Sequence, residues 1–232
     1  MSGPGGETGV TVSGPQAGGP RGDYGWAGRD PGPQARPEYG TLVAWTPRGS
    51  RVLDLGCGDG SLGARLIAEK ACAVHGIEID PAGVERALAR GVQARVADVD
   101  EGLAETDDAY DLAILNVTLH MVYRPGLVLG EALRVAPVAL VSFPNFAWWP
   151  ARIEALAGRF PRLPLYGYPW YESRHIHLFS WRDFGDLVRG RGARITAAEH
   201  FGPDSRTPDA LARRWPNLFA RVCLARVERG RG

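Results

Sequence analysis

Apolar residues in this chain follow two rhythms that take turns. Between residues 51 and 143, short dense apolar runs are separated by longer stretches in which apolar positions recur every three or four residues. RVLDL (51–55), AVHGIEI (73–79), VQARVAD (92–98), YDLAILN (110–116) and VALVSF (138–143) read as strands, the last almost wholly apolar. Such runs suit strands covered on both faces. SLGARLIAEK (61–70), PAGVERALAR (81–90) and RPGLVLGEALRV (124–135) read as the intervening helices, with Pro81 in a first-turn position. RITAAEHF (194–201) and LFARVCLARV (218–227) add two further strands, and EYGTLVAW (38–45) a short leading helix closed by the turn cluster TPRGS. Alternation of this kind implies right-handed crossovers. The expected fold is α/β, a doubly wound, mostly parallel seven-stranded sheet. Ligands of such sheets sit beyond the carboxyl ends of the strands, where the strand order reverses.

Composition alters this picture in one place. Residues 1–38 hold 11 Gly and 6 Pro without apolar periodicity, a composition expected to stay disordered. The tail 1–38 is therefore set apart from a domain spanning 39–232. A net charge of +1 gives no electrostatic argument for a nucleic-acid or membrane partner. No apolar run nears the roughly 18 residues that cross a bilayer, and MSGPGGETGV has no signal-like apolar core. A cytoplasmic protein is expected. Cys57, Cys72 and Cys223 are too scattered for a disulfide framework or a zinc site, and no metal is expected.

The candidate chemistry begins where the first strand runs into glycines: D-x-G-x-G-x-G from Asp54 to Gly60. A dinucleotide fingerprint would place its third glycine at position 61, which is Ser61, so a nicotinamide reductase recedes. The loop resembles the first motif of class I S-adenosylmethionine-dependent methyltransferases. That resemblance implies that Gly56, Gly58 and Gly60 wrap the methionine part of the cofactor, with Asp54 near its ammonium, directly or through water. Glu78 closes strand two, where an acid can accept both ribose hydroxyl hydrogens. Asp98, ending strand three, matches the family position that bonds the adenine amino group, and Asn116, ending strand four, the position that closes the cofactor floor. Each alone reads as well as a turn glycine or a solvated strand-end polar group; four at successive strand ends make the constellation.

The second half is marked by aromatics. Residues 143–184 carry 12 of the 21 in the chain, which points to an aromatic-rich insertion after strand five. LDLGCGDG, GIEID, VADVDEGL, VSFPNFAWW, PWYES, HIHLFS and RDF together resemble the MetW family of methionine biosynthesis, from about Ser50 to Leu187. The resemblance implies a methyltransferase-like fold, S-adenosylmethionine as cofactor, and association with a homoserine O-acyltransferase as partner or regulator. The alternative is an active methyltransferase acting on a small molecule. NVTLH (116–120) and His175 depart from the family pattern, on the substrate side of the pocket. Asn145 of SFPNF, His120, Trp170, Tyr171, His175 and His177 are the candidates for substrate or partner contact. His120 stands just past strand four, where a general base or a plain packed histidine both fit. His175 and His177 share one face of an extended segment, but no third ligand accompanies them. Trp148, Trp149, Trp170 and Tyr171 fit an interface, a lid or core packing.

Overall fold

The computed structural model describes residues 36–161, 175–202 and 210–230. Trp170 and Tyr171, candidates from sequence for substrate or partner contact, lie outside the described residues. Five parallel strands, β1 (Arg51–Leu55), β2 (Ala73–Glu78), β3 (Gln93–Val96), β4 (Leu112–Asn116) and β5 (Val138–Pro144), are joined by β6 (Arg194–Phe201) and β7 (Val222–Glu228). The order across the sheet is β3-β2-β1-β4-β5-β7-β6. β7 runs antiparallel to both its neighbours. From β1 the chain winds outward through β2 to β3 and then returns to β4 on the other side, so the order reverses between β1 and β4. The expected doubly wound, mostly parallel seven-stranded sheet is present.

Alternating residues of each strand feed two cores, one on each face. Val52, Leu112, Ile114 and Leu140 pack with Tyr39 and Leu42 of α1 (Glu38–Trp45), Leu62 and Leu66 of α2 (Ser61–Lys70) and Ala87 of α3 (Pro81–Ala89). Leu53, Leu55, Leu115 and Val141 pack on the opposite face with Leu129 of α4 (Pro125–Val135) and Phe184 of α6 (Trp181–Gly190). The parity turns Asp54, two residues beyond Val52, toward the α1 side. Helix starts follow local chemistry. Asp80 caps α3 by accepting from Ala82 N, with Pro81 behind it. Ser180 and Asp183 form a reciprocal capping box at α6.

Glu38 is fully buried in the first turn of α1, the helix expected from EYGTLVAW (38–45). The structure redraws several expected boundaries. Strand three stops at Val96; Asp98 instead caps the 3-10 turn Val99–Glu101 through its bond from Asp100 N. The strand expected from Leu218 starts at Val222, because Pro216 opens the short helix α8 (Pro216–Phe219) after α7 (Ala210–Arg214). The aromatic stretch contributes α5 (Trp149–Leu156) and the start of α6. Its rings divide. Phe143, Phe179, Trp181 and Phe184 stack in the core with centroids 4.7–6.3 Å apart, whereas Trp149 and Ile153 are exposed on α5.

Candidate cofactor and substrate site

The glycine loop leaves β1 and turns back under β2. Gly56, Gly58 and Gly60 all hold left-handed φ values, 75°, 56° and 74°, which side chains other than glycine adopt reluctantly. Gly56 N and Cys57 N both donate to Ile77 O, so the loop stays tied to the neighbouring strand. Two of the glycines are also needed for packing. A Cβ on Gly56 would stand 2.7 Å from Thr118 Oγ1, and one on Gly60 would stand 2.7 Å from the Ala87 backbone. Thr118, which sequence reasoning passed over, holds its place by donating to Leu55 O at 2.8 Å.

Glu78 closes this loop from β2. Its Oε2 accepts from Gly58 N at 2.8 Å and its Oε1 from Ile79 N and Asp80 N at 2.9 and 3.0 Å. Burial raises the pKa of this carboxyl against the pull of those three amides. An ionised carboxylate has about four acceptor sites, so the three amides leave room for roughly one ribose hydroxyl without rearrangement. Two would displace a backbone partner.

Asp54 is the buried anomaly of the site. It is 2% exposed, and its Oδ1 has no hydrogen-bond partner. Burial pushes its pKa up to about 7, Glu78 adds to the rise, and Arg36 opposes it. A carboxyl whose pKa is higher in the folded chain stabilises the fold while protonated, and that contribution is lost as pH rises toward the folded value. Without ligand, stability is expected to fall between about pH 4 and 7, by up to about 4 kcal/mol from this group. Asp54→Asn should flatten the melting temperature against pH across that window. An undiminished slope in the variant would show that Asp54 is ionised throughout.

The remaining predicted residues separate into four sets. Asp98 and its neighbour Asp100 pin the turn after β3, Asp100 accepting from Tyr123 N and Arg124 N just before α4. Asn116 Oδ1 accepts from Ser142 Oγ at 2.6 Å, which in turn accepts from Val117 N. Val117 itself sits at φ 59°, an unusual conformation for a β-branched residue, and it stands at the reversal point of the sheet. Nothing in the sequence signals it.

The histidines come together. His120 is fully buried, neither ring nitrogen has a hydrogen-bond partner, and its ring lies edge-on to His175 at 4.3 Å between centroids. Its carbonyl accepts from Ile176 N and His177 N, which draws the segment from His175 to His177 onto the end of β4. Burial, reinforced by the other two histidines, holds His120 well below the usual imidazole range, and burial lowers His175 to about 4. Both rings are neutral at physiological pH. Among the described residues, no set of three His, Cys, Asp or Glu side chains is arranged to hold a metal ion. Asn145 stands apart from this cluster. It is fully buried, and its Nδ2 donates to Pro216 O and Ala220 O, clamping α8 to the end of β5.

A family model described as methionine biosynthesis protein MetW matches residues 36–227. The chain belongs to the MetW family. Its likeness to the bifunctional methionine biosynthesis protein MetXA/MetW of Rhodopirellula baltica is 33% identity over 159 residues, 64% of this chain. The chain spans only 26% of that relative's length. Solved structures share the fold of this MetW member at low identity. A SAM-dependent methyltransferase from Thermotoga maritima superposes with a TM-score of 0.62 at 17% identity, over 83% of this chain and 87% of its own. The magnesium protoporphyrin IX methyltransferase of Synechocystis, solved with bound SAH, gives 0.60 at 17% identity over 83% and 82%. The [4+2]-cyclase SpnF gives 0.61 at 19% over 84% and 82%. A cyclase among these neighbours means that the fold does not by itself name a reaction.

Proposed function

We propose that this MetW-family protein binds S-adenosylmethionine or its demethylated product over the carboxyl ends of β1, β2 and β4, and acts in methionine biosynthesis as partner or regulator of a homoserine O-acyltransferase. The observation that carries the cofactor reading is Asp54: a carboxyl with an unpartnered buried oxygen beneath a left-handed glycine loop that Glu78 ties down. The residues fit the group. Gly56, Gly58 and Gly60 would lie against its methionine part, Asp54 would face its ammonium, Glu78 its ribose, Asp98 its adenine and Asn116 the floor. When bound, the cofactor supplies an electrophilic methyl group. The partner reading is supported by the R. baltica relative, whose name joins MetXA and MetW in one chain. No helix among the described residues is long and apolar enough to cross a membrane. The three cysteines are buried free thiols, consistent with the reducing cytoplasm where we place the protein.

A second reading, methyl transfer to a small acceptor, is favoured by His120: a neutral, buried imidazole with both nitrogens unengaged suits a proton acceptor beside the cofactor. One experiment separates the two. The protein is co-expressed with untagged acyltransferase, purified, and assayed for acyl and methyl transfer. Co-purification with altered acyl transfer is the expected result. A protein that recovers no acyltransferase, yet consumes S-adenosylmethionine in a His120-dependent way, would overturn it. Calorimetry should also register S-adenosylhomocysteine and not NAD; heat with NAD alone would sink the cofactor reading.

A further inference from the structure

A groove of about 610 Å³ opens at the far edge of the sheet, between α6, the start of β6 and the turn from α7 into α8. Trp181, Ile195 and Trp215 give it apolar surface, Arg182, Arg189 and Arg214 give it charge, and no carboxylate is among its lining residues. It is separate from the glycine loop. β6 is the edge strand, four positions along the sheet from β1 and so about 19 Å away. The helices that wall the groove, α6 and α7, pack through Phe184 and Ala212 into the core on the face away from α1.

Of the three arginines, Arg189 is paired with Asp186 on its own helix. Arg182 and Arg214 make no ion pair among the described residues. Arg214 lays its guanidinium 5.4 Å from the centre of the Trp215 ring, and Arg182 bonds to α8 through its backbone N, which donates to Asn217 Oδ1 at 3.1 Å. Trp215 itself is 51% exposed, and Leu211 one turn before it 50%. Trp and Arg are the residue types that carry most binding energy at protein interfaces. A two-fold contact centred here would set the basic groove against itself, which argues against a second copy of the chain. Guanidiniums around apolar surface, with no acid among them, match carboxylates that flank an apolar side chain. We propose that this groove docks an acidic segment of the acyltransferase, with one apolar side chain on Trp215 and Ile195 and carboxylates on Arg182 and Arg214. The proposal rests on the partner reading above and gives that partner a surface.

The test measures the dissociation constant of the purified acyltransferase complex for the wild type, the double variant Arg182→Glu/Arg214→Glu, and Trp215→Ala. Each groove variant should weaken the complex by about tenfold or more, with little change in melting temperature for the double variant, whose side chains are exposed. The wild-type complex should loosen as salt rises, and the double variant should flatten that dependence. Arg48→Glu reverses an exposed charge on the loop before β1 and should leave the complex within about twofold of wild type. Trp215 packs on Phe219; should its truncation unsettle α8, Arg182→Gln/Arg214→Gln decides, with a loss milder than that of the double reversal. A complex unchanged by the arginine variants overturns the proposal and leaves the partner reading standing. An equal loss with Arg48→Glu overturns it too, as does loss of self-association in place of acyltransferase binding, which would give the groove to a second copy. Wild type that recovers no acyltransferase brings down the partner reading and this proposal with it, a failure visible before any variant is made.

Discussion

Gly60→Ala is expected to lower the melting temperature by roughly 5–15 °C, because the new methyl meets two obstacles at once. The residue holds φ 74°, and its Cβ would stand 2.7 Å from the backbone of Ala87 in α3. The left-handed conformation costs a side-chain-bearing residue about 1–2 kcal/mol. Overpacking adds about 1–3 kcal/mol, and in a domain of this size each kcal/mol moves the transition by about 2–4 °C. Backbone atoms cannot step aside as a flexible side chain would, so α3 itself must shift away from α2. Gly91 supplies the control. It shares the left-handed φ, at 81°, but nothing lies within 4 Å of its Cβ position. Gly91→Ala should therefore show only the backbone part, about 1–2 kcal/mol. Equal losses in the two variants, read by thermal unfolding, would show that close packing of α3 on the loop is not what requires glycine at 60.

Glu78→Ala should weaken S-adenosylhomocysteine binding at least tenfold and destabilise the protein as well. The carboxylate holds Gly58, and in the proposed function it is also the acid offered to a ribose. Truncation leaves the amides of Gly58, Ile79 and Asp80 without their acceptor, each bond to a charged group contributing about 1.5–3 kcal/mol before water compensates. It also removes a charge that raises the pKa of Asp54, so the pH-dependent loss of stability should move to lower pH. Glu78→Gln is the informative companion. One amide oxygen still accepts, while the NH2 group faces a backbone donor, so its affinity should fall between wild type and Glu78→Ala. Calorimetry that finds Glu78→Ala within twofold of wild type would remove Glu78 from the binding site and leave it as a loop anchor.

How far the sequence could be read depended on whether a residue's role is local. The dense apolar runs marked β1, β4 and β5, and Gly56, Gly58 and Gly60 announced a loop, because strand burial and positive φ leave compositional traces in a few consecutive residues. Boundaries set by competing local signals were harder. Leu218 and Phe219 look like strand, yet Pro216 two positions earlier starts a helical turn that carries both. Roles that depend on distant partners left no trace. Glu38 reads as an ordinary acid at a helix start; only its full burial makes it unusual. Asn145 stood out through family resemblance as a contact residue, but its amide is engaged by Pro216 and Ala220, more than 70 positions away. Val117 is the extreme case, a residue type whose identity argues against the conformation it holds.

The place of β7 in the sheet has a consequence for how the molecule is made. The seventh strand in synthesis is the sixth across, inserted between β5 and β6, and five of its residues, Val222 to Ala225 and Val227, are fully buried. While the ribosome is still extending the chain, β6 therefore has no neighbour to pair with, and the flank of β5 presents bare amides and carbonyls. The parallel half, β1 to β5, can assemble early, but it does so with one open, apolar edge. A nascent chain in that state is a template for other strands. Any message cut short before residue 222 would yield a sticky half-sheet in place of a weakened enzyme or partner, and aggregation, not loss of binding, would be its first symptom.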